Sequence, residues 1–173
     1  MRRWNGWGDD SFHLELPDNG TEFLRERLGE AQPLAEATLE TVCDKVPPSR
    51  TPPHDHVHTD AETRVRHARG QSLPDWLAMR SGEFGVFPDA VALPETSEQV
   101  AELLQWARRE DLVVIPYGGG TSVAGHINPR DHGKPVLTLS LARMNRMVDL
   151  DPESQIATFG AGTPGPLVES QLL

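Results

Sequence analysis

The stretch whose residue types could do chemistry is Ile115-Pro116-Tyr117-Gly118-Gly119-Gly120-Thr121-Ser122-Val123-Ala124-Gly125. Three consecutive glycines after an apolar run allow backbone dihedrals closed to other residues, so successive N–H groups can turn into one concavity that binds an anion. Thr121 and Ser122 add hydroxyl donors beside it, and the absent side chains let a diphosphate approach the main chain closely. A P-loop is excluded, because no Lys followed by Ser or Thr comes after the last glycine. The Gly-x-Gly-x-x-Gly dinucleotide fingerprint is excluded as well, because Val123-Ala124-Gly125-His126-Ile127-Asn128-Pro129 does not open a helix. A glycine triplet taken alone also serves as a tight turn between strands.

Other residues invite weaker readings. His54, His56 and His58 alternate along an extended stretch and could present imidazoles on one face, but a proline-led connector with solvated histidines is the commoner outcome. His126 follows the glycine loop and could donate to a phosphate oxygen, against a hydrogen bond internal to the loop. Arg143 and Arg146 read as a salt-bridged surface and Met144 as packing. Trp4 and Trp7 are expected to pack the N-terminal arm onto the rest of the molecule. No metal site is expected.

The elements that must position the loop are legible from about residue 88. Ala90-Val91-Ala92-Leu93 is a short apolar run closed by Pro94, and Thr96-Ser97 begins a helix with Val100, Leu103, Leu104 and Ala107 on one face. Leu112-Val113-Val114-Ile115 is uninterrupted, as a strand buried on both faces should be, giving a βαβ unit with a parallel pair. Residues 136–140, 147–150 and 155–159 read as three further strands, with a turn at Asp151-Pro152-Glu153-Ser154 between the last two. Residues 166–173 begin a helix whose leucines lack partners, and that ending reads as a truncation.

The first 75 residues differ. Val46-Pro47-Pro48-Ser49-Arg50-Thr51-Pro52-Pro53 forbids helix and reads as an extended connector. Short helices are expected over 21–28 and 34–42, and a solvated helix or turn over 60–69. The division is therefore an arm with a Pro-rich connector over residues 1–75, then a domain over 76–173.

A net charge of -10 argues against a nucleic-acid or anionic-membrane partner, either of which needs a basic surface. The single cysteine, Cys43, can form no internal disulfide, and no run approaches the ~20 apolar residues of a membrane span. A cytoplasmic address is the expectation.

Phe87-Pro88-Asp89-Ala90-Val91-Ala92-Leu93-Pro94, the helix after it and Ile115 to Val123 resemble the opening of the FAD-binding domain shared by vanillyl-alcohol oxidase and p-cresol methylhydroxylase (PCMH) relatives. Arg3 to Asp9, Arg143 to Met147 and Gly160 to Pro166 resemble the branch that contains alkyldihydroxyacetonephosphate synthase and bacterial FAD-linked oxidases. The fold implied is α+β: the N-terminal lobe of a PCMH-type FAD-binding domain, a βαβ unit plus further strands, preceded by an irregular, partly helical arm. The resemblance implies that Tyr117, Gly118, Gly119, Gly120, Thr121, Ser122 and Val123 line the diphosphate and neighbouring ribose of FAD. Relatives that tether flavin through this loop carry a histidine where Gly120 stands, so non-covalent FAD is expected.

It further implies an FAD-dependent enzyme whose second flavin stretch and substrate cap, with the acid–base residues, lie beyond this chain. No catalytic residue is therefore assigned, and the chain alone is expected to be inactive. Oxidation of a hydroxy acid or similar small donor is the first reading, the ether-lipid transferase the second, and a non-catalytic nucleotide-binding module the third. A homodimer of the full-length protein is allowed.

Overall fold

The structure, a computed structural model, describes residues 3–32 and 34–173. The arm holds α1 (Gly20–Leu28), α2 (Leu39–Cys43), β1 (Val57–His58), α3 (Ala61–Arg66) and α4 (Leu73–Ser81). Then come β2 (Ala90–Ala92), α5 (Ser97–Arg109), β3 (Val113–Tyr117), β4 (Val136–Ser140), β5 (Met147–Asp151), β6 (Ile156–Phe159) and α6 (Gly165–Leu172). The α+β architecture is the one the sequence implies.

The main sheet has the order β1-β2-β4-β3, with β2 and β3 each parallel to β4 and β1 antiparallel to β2. The β2-α5-β3 crossover is present, but its two strands are not neighbours, because the chain returns after the glycine loop to insert β4 between them. The doubly buried strand is thus β4, every residue of which is buried, while β3 forms the edge with Val113 to Ile115 only half-buried. An uninterrupted β-branched run marks a strand but not its rank in the sheet.

The molecule has two cores, one between the sheet and α5 and one within the arm and the segment leading to β2. Ala90, Ala92, Leu137 and Leu139 face Leu103, Trp106 and Ala107 of α5. Thr96 starts that helix, its side chain accepting from Gln99 N at 3.3 Å, and Arg108 and Arg109 complement the dipole at its end. A second core joins Val42, Val65, Ala68, Met79, Phe84 and Phe87, with Trp4 stacked on Phe84.

The arm is more integrated than its composition implies. Instead of a helix over 34–42, only Leu39–Cys43 is helical, because Thr38 is extended and caps it, accepting from Thr41 N at 3.2 Å. Residues 60–69 are not simply solvated: α3 buries Val65 and Arg64, whose guanidinium donates to the carbonyls of Pro88 at 2.7 Å and Pro47 at 2.6 Å. The connector over 46–53 has no helix or strand, as expected, and its Arg50 forms a bidentate pair with buried Asp89 at 2.7 and 2.8 Å.

β5 and β6 form a separate antiparallel hairpin whose turn is held by Asp151 Oδ1, accepting from Glu153 N and Ser154 N at 3.0 and 3.1 Å. Gln171 ties α6 to it, accepting from Met147 N at 2.7 Å and donating to Asn145 O at 3.1 Å. Among the described residues, no helix is long and apolar enough to cross a membrane.

Candidate functional site

The glycine loop leaves the C-terminal end of the edge strand β3, where a parallel sheet ordinarily opens its binding crevice. Tyr117 anchors it. The ring is 2% exposed, packs on His67 with centroids 4.8 Å apart, and its hydroxyl donates to Arg66 O at 3.3 Å. The Tyr117 side chain is therefore turned into the arm rather than toward the open side of the loop.

Beyond it, Gly118 and Gly119 are exposed and Gly120 is buried with φ +67°, a left-handed conformation that favours glycine. Among the described residues, no main-chain N–H from Gly118 to Val123 donates a hydrogen bond. A Cβ added at Gly118 would meet nothing within 4 Å, and one at Gly119 only Thr121 Cγ2 at 3.5 Å. Unpaired main-chain donors beside open space at two glycines are what an anionic group needs to approach the backbone.

Gly119 and Thr121 share a cavity of about 260 Å³ with Gly6, Trp7, Gly8 and Gln71, so the N-terminal arm supplies its facing wall. Trp7, 62% exposed, stands there, while Trp4 is spent on packing. Val123 is exposed and lies instead in a neighbouring depression with Ala124, Gly125, Arg69 and Arg130. The seven residues read from the sequence are thus contiguous but do not share one cavity.

His126 makes the loop-internal contact, its Nδ1 lying 3.0 Å from Ser122 Oγ. His54 packs on Trp106 and its Nδ1 accepts from His56 N, and among the described residues no cluster of three or more His, Cys, Asp or Glu is placed to hold a metal ion. Arg143 pairs with exposed Glu95 at 3.5 Å. Gly160 and Gly162 belong to packing: a Cβ at either would run into the carbonyl of Met144 or of Leu141.

Sequence reasoning missed the turn that backs the loop. Gln71 N donates to Ser122 O at 2.6 Å, and Gly70 N donates to Asn128 Oδ1 at 3.1 Å. Asn128 Nδ2 in turn donates to Asp75 Oδ1 at 2.6 Å. Asp75, 2% exposed, also accepts from Ser72 N and Ser72 Oγ at 3.2 and 2.6 Å. Arg69 lies 3.7 Å from Asp75; burial pushes its guanidinium pKa down, and the Asp75 charge opposes that shift. The signal available was Ser72-Leu73-Pro74-Asp75, a capping box with proline in the first turn.

A mostly parallel sheet with an open glycine loop at its edge strand, backed by an arm, has the form of a nucleotide-cofactor-binding domain. Residues 88–173 match the family described as FAD binding domain, and FAD is the cofactor of that domain. The chain is 29% identical to an alkyldihydroxyacetonephosphate synthase from Trypanosoma brucei brucei, the match covering 98% of this chain and 33% of that protein. A solved alkyldihydroxyacetonephosphate synthase superposes with a TM-score of 0.84 at 26% identity, over 99% of this chain and 38% of that one. A D-2-hydroxyglutarate dehydrogenase from Xanthomonas citri is 35% identical, but over only 44% of this chain and 16% of its own length. The chain thus spans about a third of the synthase from Trypanosoma.

Proposed function

We propose that this chain supplies the diphosphate-binding part of the flavin site of an alkyldihydroxyacetonephosphate synthase-type enzyme. The observation that carries the reading is the row of main-chain N–H groups from Gly118 to Val123 that find no acceptor among the described residues, open to a ligand at Gly118 and Gly119. In this reading Gly118 to Ser122 hold the FAD diphosphate through their amides, Thr121 adds its hydroxyl, and Val123 extends the site toward the ribose. Tyr117 acts by anchoring the loop, since its own hydroxyl is engaged by Arg66 O. Residues 76–173 bind and residues 1–75 brace, with Gly6 to Gly8 lining the cavity across from Gly119 and Thr121. Gly120 offers no side chain to bond the flavin, which favours non-covalent FAD. Bound FAD would supply two-electron chemistry that no side chain of this chain provides. The substrate would be held by later parts of a longer polypeptide, and a homodimer of that polypeptide remains part of the proposal.

The synthase reading rests on likeness along the arm as well as the domain, where the hydroxy-acid dehydrogenase matches less than half of the chain. Oxidation of a hydroxy acid stays as the second reading because that shorter match has the higher identity. Assay of the full-length protein as an alkyldihydroxyacetonephosphate synthase and as a hydroxy-acid dehydrogenase separates the two.

The site itself is tested by Gly118→Ala in the full-length protein. The added methyl meets no atom of the fold, so the apoprotein should keep its stability or gain about 0.4–1 kcal/mol. FAD affinity, read by flavin fluorescence, should fall at least about tenfold because the methyl stands where the diphosphate approaches. Unchanged affinity would remove the loop from the flavin site.

A further inference from the structure

We propose that Asp75 and Asn128 form a clamp that presets the glycine loop for its anionic ligand, Asp75 acting as a positioning residue with no contact to the flavin. The inference rests on the reading that this loop holds the diphosphate, and it assigns a role to residues outside the loop. The loop segment from Ser122 to Asn128 is fastened at both ends to a single turn of the arm. At one end Gln71 N donates to Ser122 O at 2.6 Å; at the other Asn128 Oδ1 accepts from Gly70 N at 3.1 Å. Asp75 is the hub behind both, holding Asn128 Nδ2 at 2.6 Å through Oδ1 and Ser72 Oγ at 2.6 Å through Oδ2.

Two features make the hub more than a helix cap. A carboxylate 2% exposed persists only if its lone pairs are occupied, so Asn128 must keep its amide nitrogen toward Asp75 and its oxygen toward Gly70. The side-chain amide orientation is thereby set by the buried charge. Gly70 leaves no slack either: a Cβ there would stand 2.4 Å from Ser122 O and 3.2 Å from Asp75 Oδ2. The arm and the loop are thus in backbone contact at the point where the Ser122 carbonyl is fixed, and fixing that carbonyl sets the plane of its peptide and so aims Val123 N–H, the last donor of the row. Preset donors bind more tightly because ordering them no longer costs binding free energy.

The test uses full-length apoprotein, the FAD dissociation constant measured by fluorescence, and thermal unfolding without FAD. Asn128→Asp sets two carboxylates against each other and should weaken FAD binding at least about tenfold. The exchanged pair Asp75→Asn with Asn128→Asp restores the donor–acceptor match between the two side chains and those to Ser72 and Gly70, loses the Arg69 pairing at position 75, and should recover most of the affinity that Asn128→Asp loses. Asn128→Ser, which only deletes the contacts, provides the same comparison should Asn128→Asp not fold. Thr96→Ala, a cap remote from the loop, should lower the melting temperature while leaving FAD affinity unchanged. Unaltered affinity in Asn128→Asp or Asn128→Ser would overturn the clamp, and so would an exchanged pair as weak as Asn128→Asp. Failure of the unmodified protein to bind FAD would instead remove the proposed function on which the clamp rests.

Discussion

Asp89 illustrates how much one carboxylate can organise in this chain. It is buried, yet it accepts from Arg50 Nε and Nη2 on one side and from Val136 N at 2.7 Å on the other, so it joins the connector to the start of the central strand. Burial pushes its carboxyl pKa up, but the bonds from Arg50 and Val136 outweigh that and hold it below the usual carboxylate range. A group held low in the folded state lends stability above its unfolded pKa, and that contribution is lost as pH falls through the folded value. Arg50→Ala removes the charged donors and leaves burial less opposed. Urea unfolding at neutral pH should show a loss of about 1.5–3 kcal/mol, the worth of hydrogen bonds to a charged group. The difference between variant and original should then shrink below about pH 3.9, the ordinary aspartate value, as Asp89 becomes protonated in both. A difference that held constant down the whole acid range would mean that Arg50 acts by packing alone.

At the scale of elements, α5 is the piece on which the crossover depends, and its start rests on one side chain. Thr96→Ala leaves Gln99 N without its acceptor and should cost about 1 kcal/mol in chemical unfolding, as loss of a helix cap does. The same helix shows why part of the fold was legible. Val100, Leu103 and Ala107 recur at helical spacing behind a threonine cap, and local rules of this kind need no knowledge of the rest of the chain. The insertion of β4 between β2 and β3 was not legible, because strand rank depends on where the chain returns after the glycine loop. Arg64 and Asp75 were missed for a related reason: charged residues read as surface until the carbonyls of Pro47 and Pro88, or the amide of Asn128, arrive from distant segments. The loop itself was readable because glycine and hydroxyl residues announce their chemistry locally, while the turn that braces it announces only a helix cap.

The whole molecule is built unevenly. Its four-stranded sheet is covered by α5 and the arm, whereas the hairpin and α6 leave Val148, Leu150, Ile156 and Leu172 exposed. Leu150, Ala157, Phe159, Val168 and Leu172 line one shallow apolar depression there. Apolar surface gathered on one side of an element gains roughly 25 cal/mol per Å² when covered, so its behaviour depends on what polypeptide surrounds it. Leu150→Lys, in the middle of that depression, should therefore have opposite signs in two settings. In the 173-residue chain expressed alone, it should reduce binding of a hydrophobic dye and concentration-dependent association seen by sedimentation, with little change in unfolding. In a longer polypeptide containing the chain, of the length its synthase relatives have, the same charge should be buried and lower stability by about 2–4 kcal/mol. Equal, near-zero effects in both settings would mean that this side of the hairpin faces solvent in the longer protein too, and that the flavin domain continues from another surface.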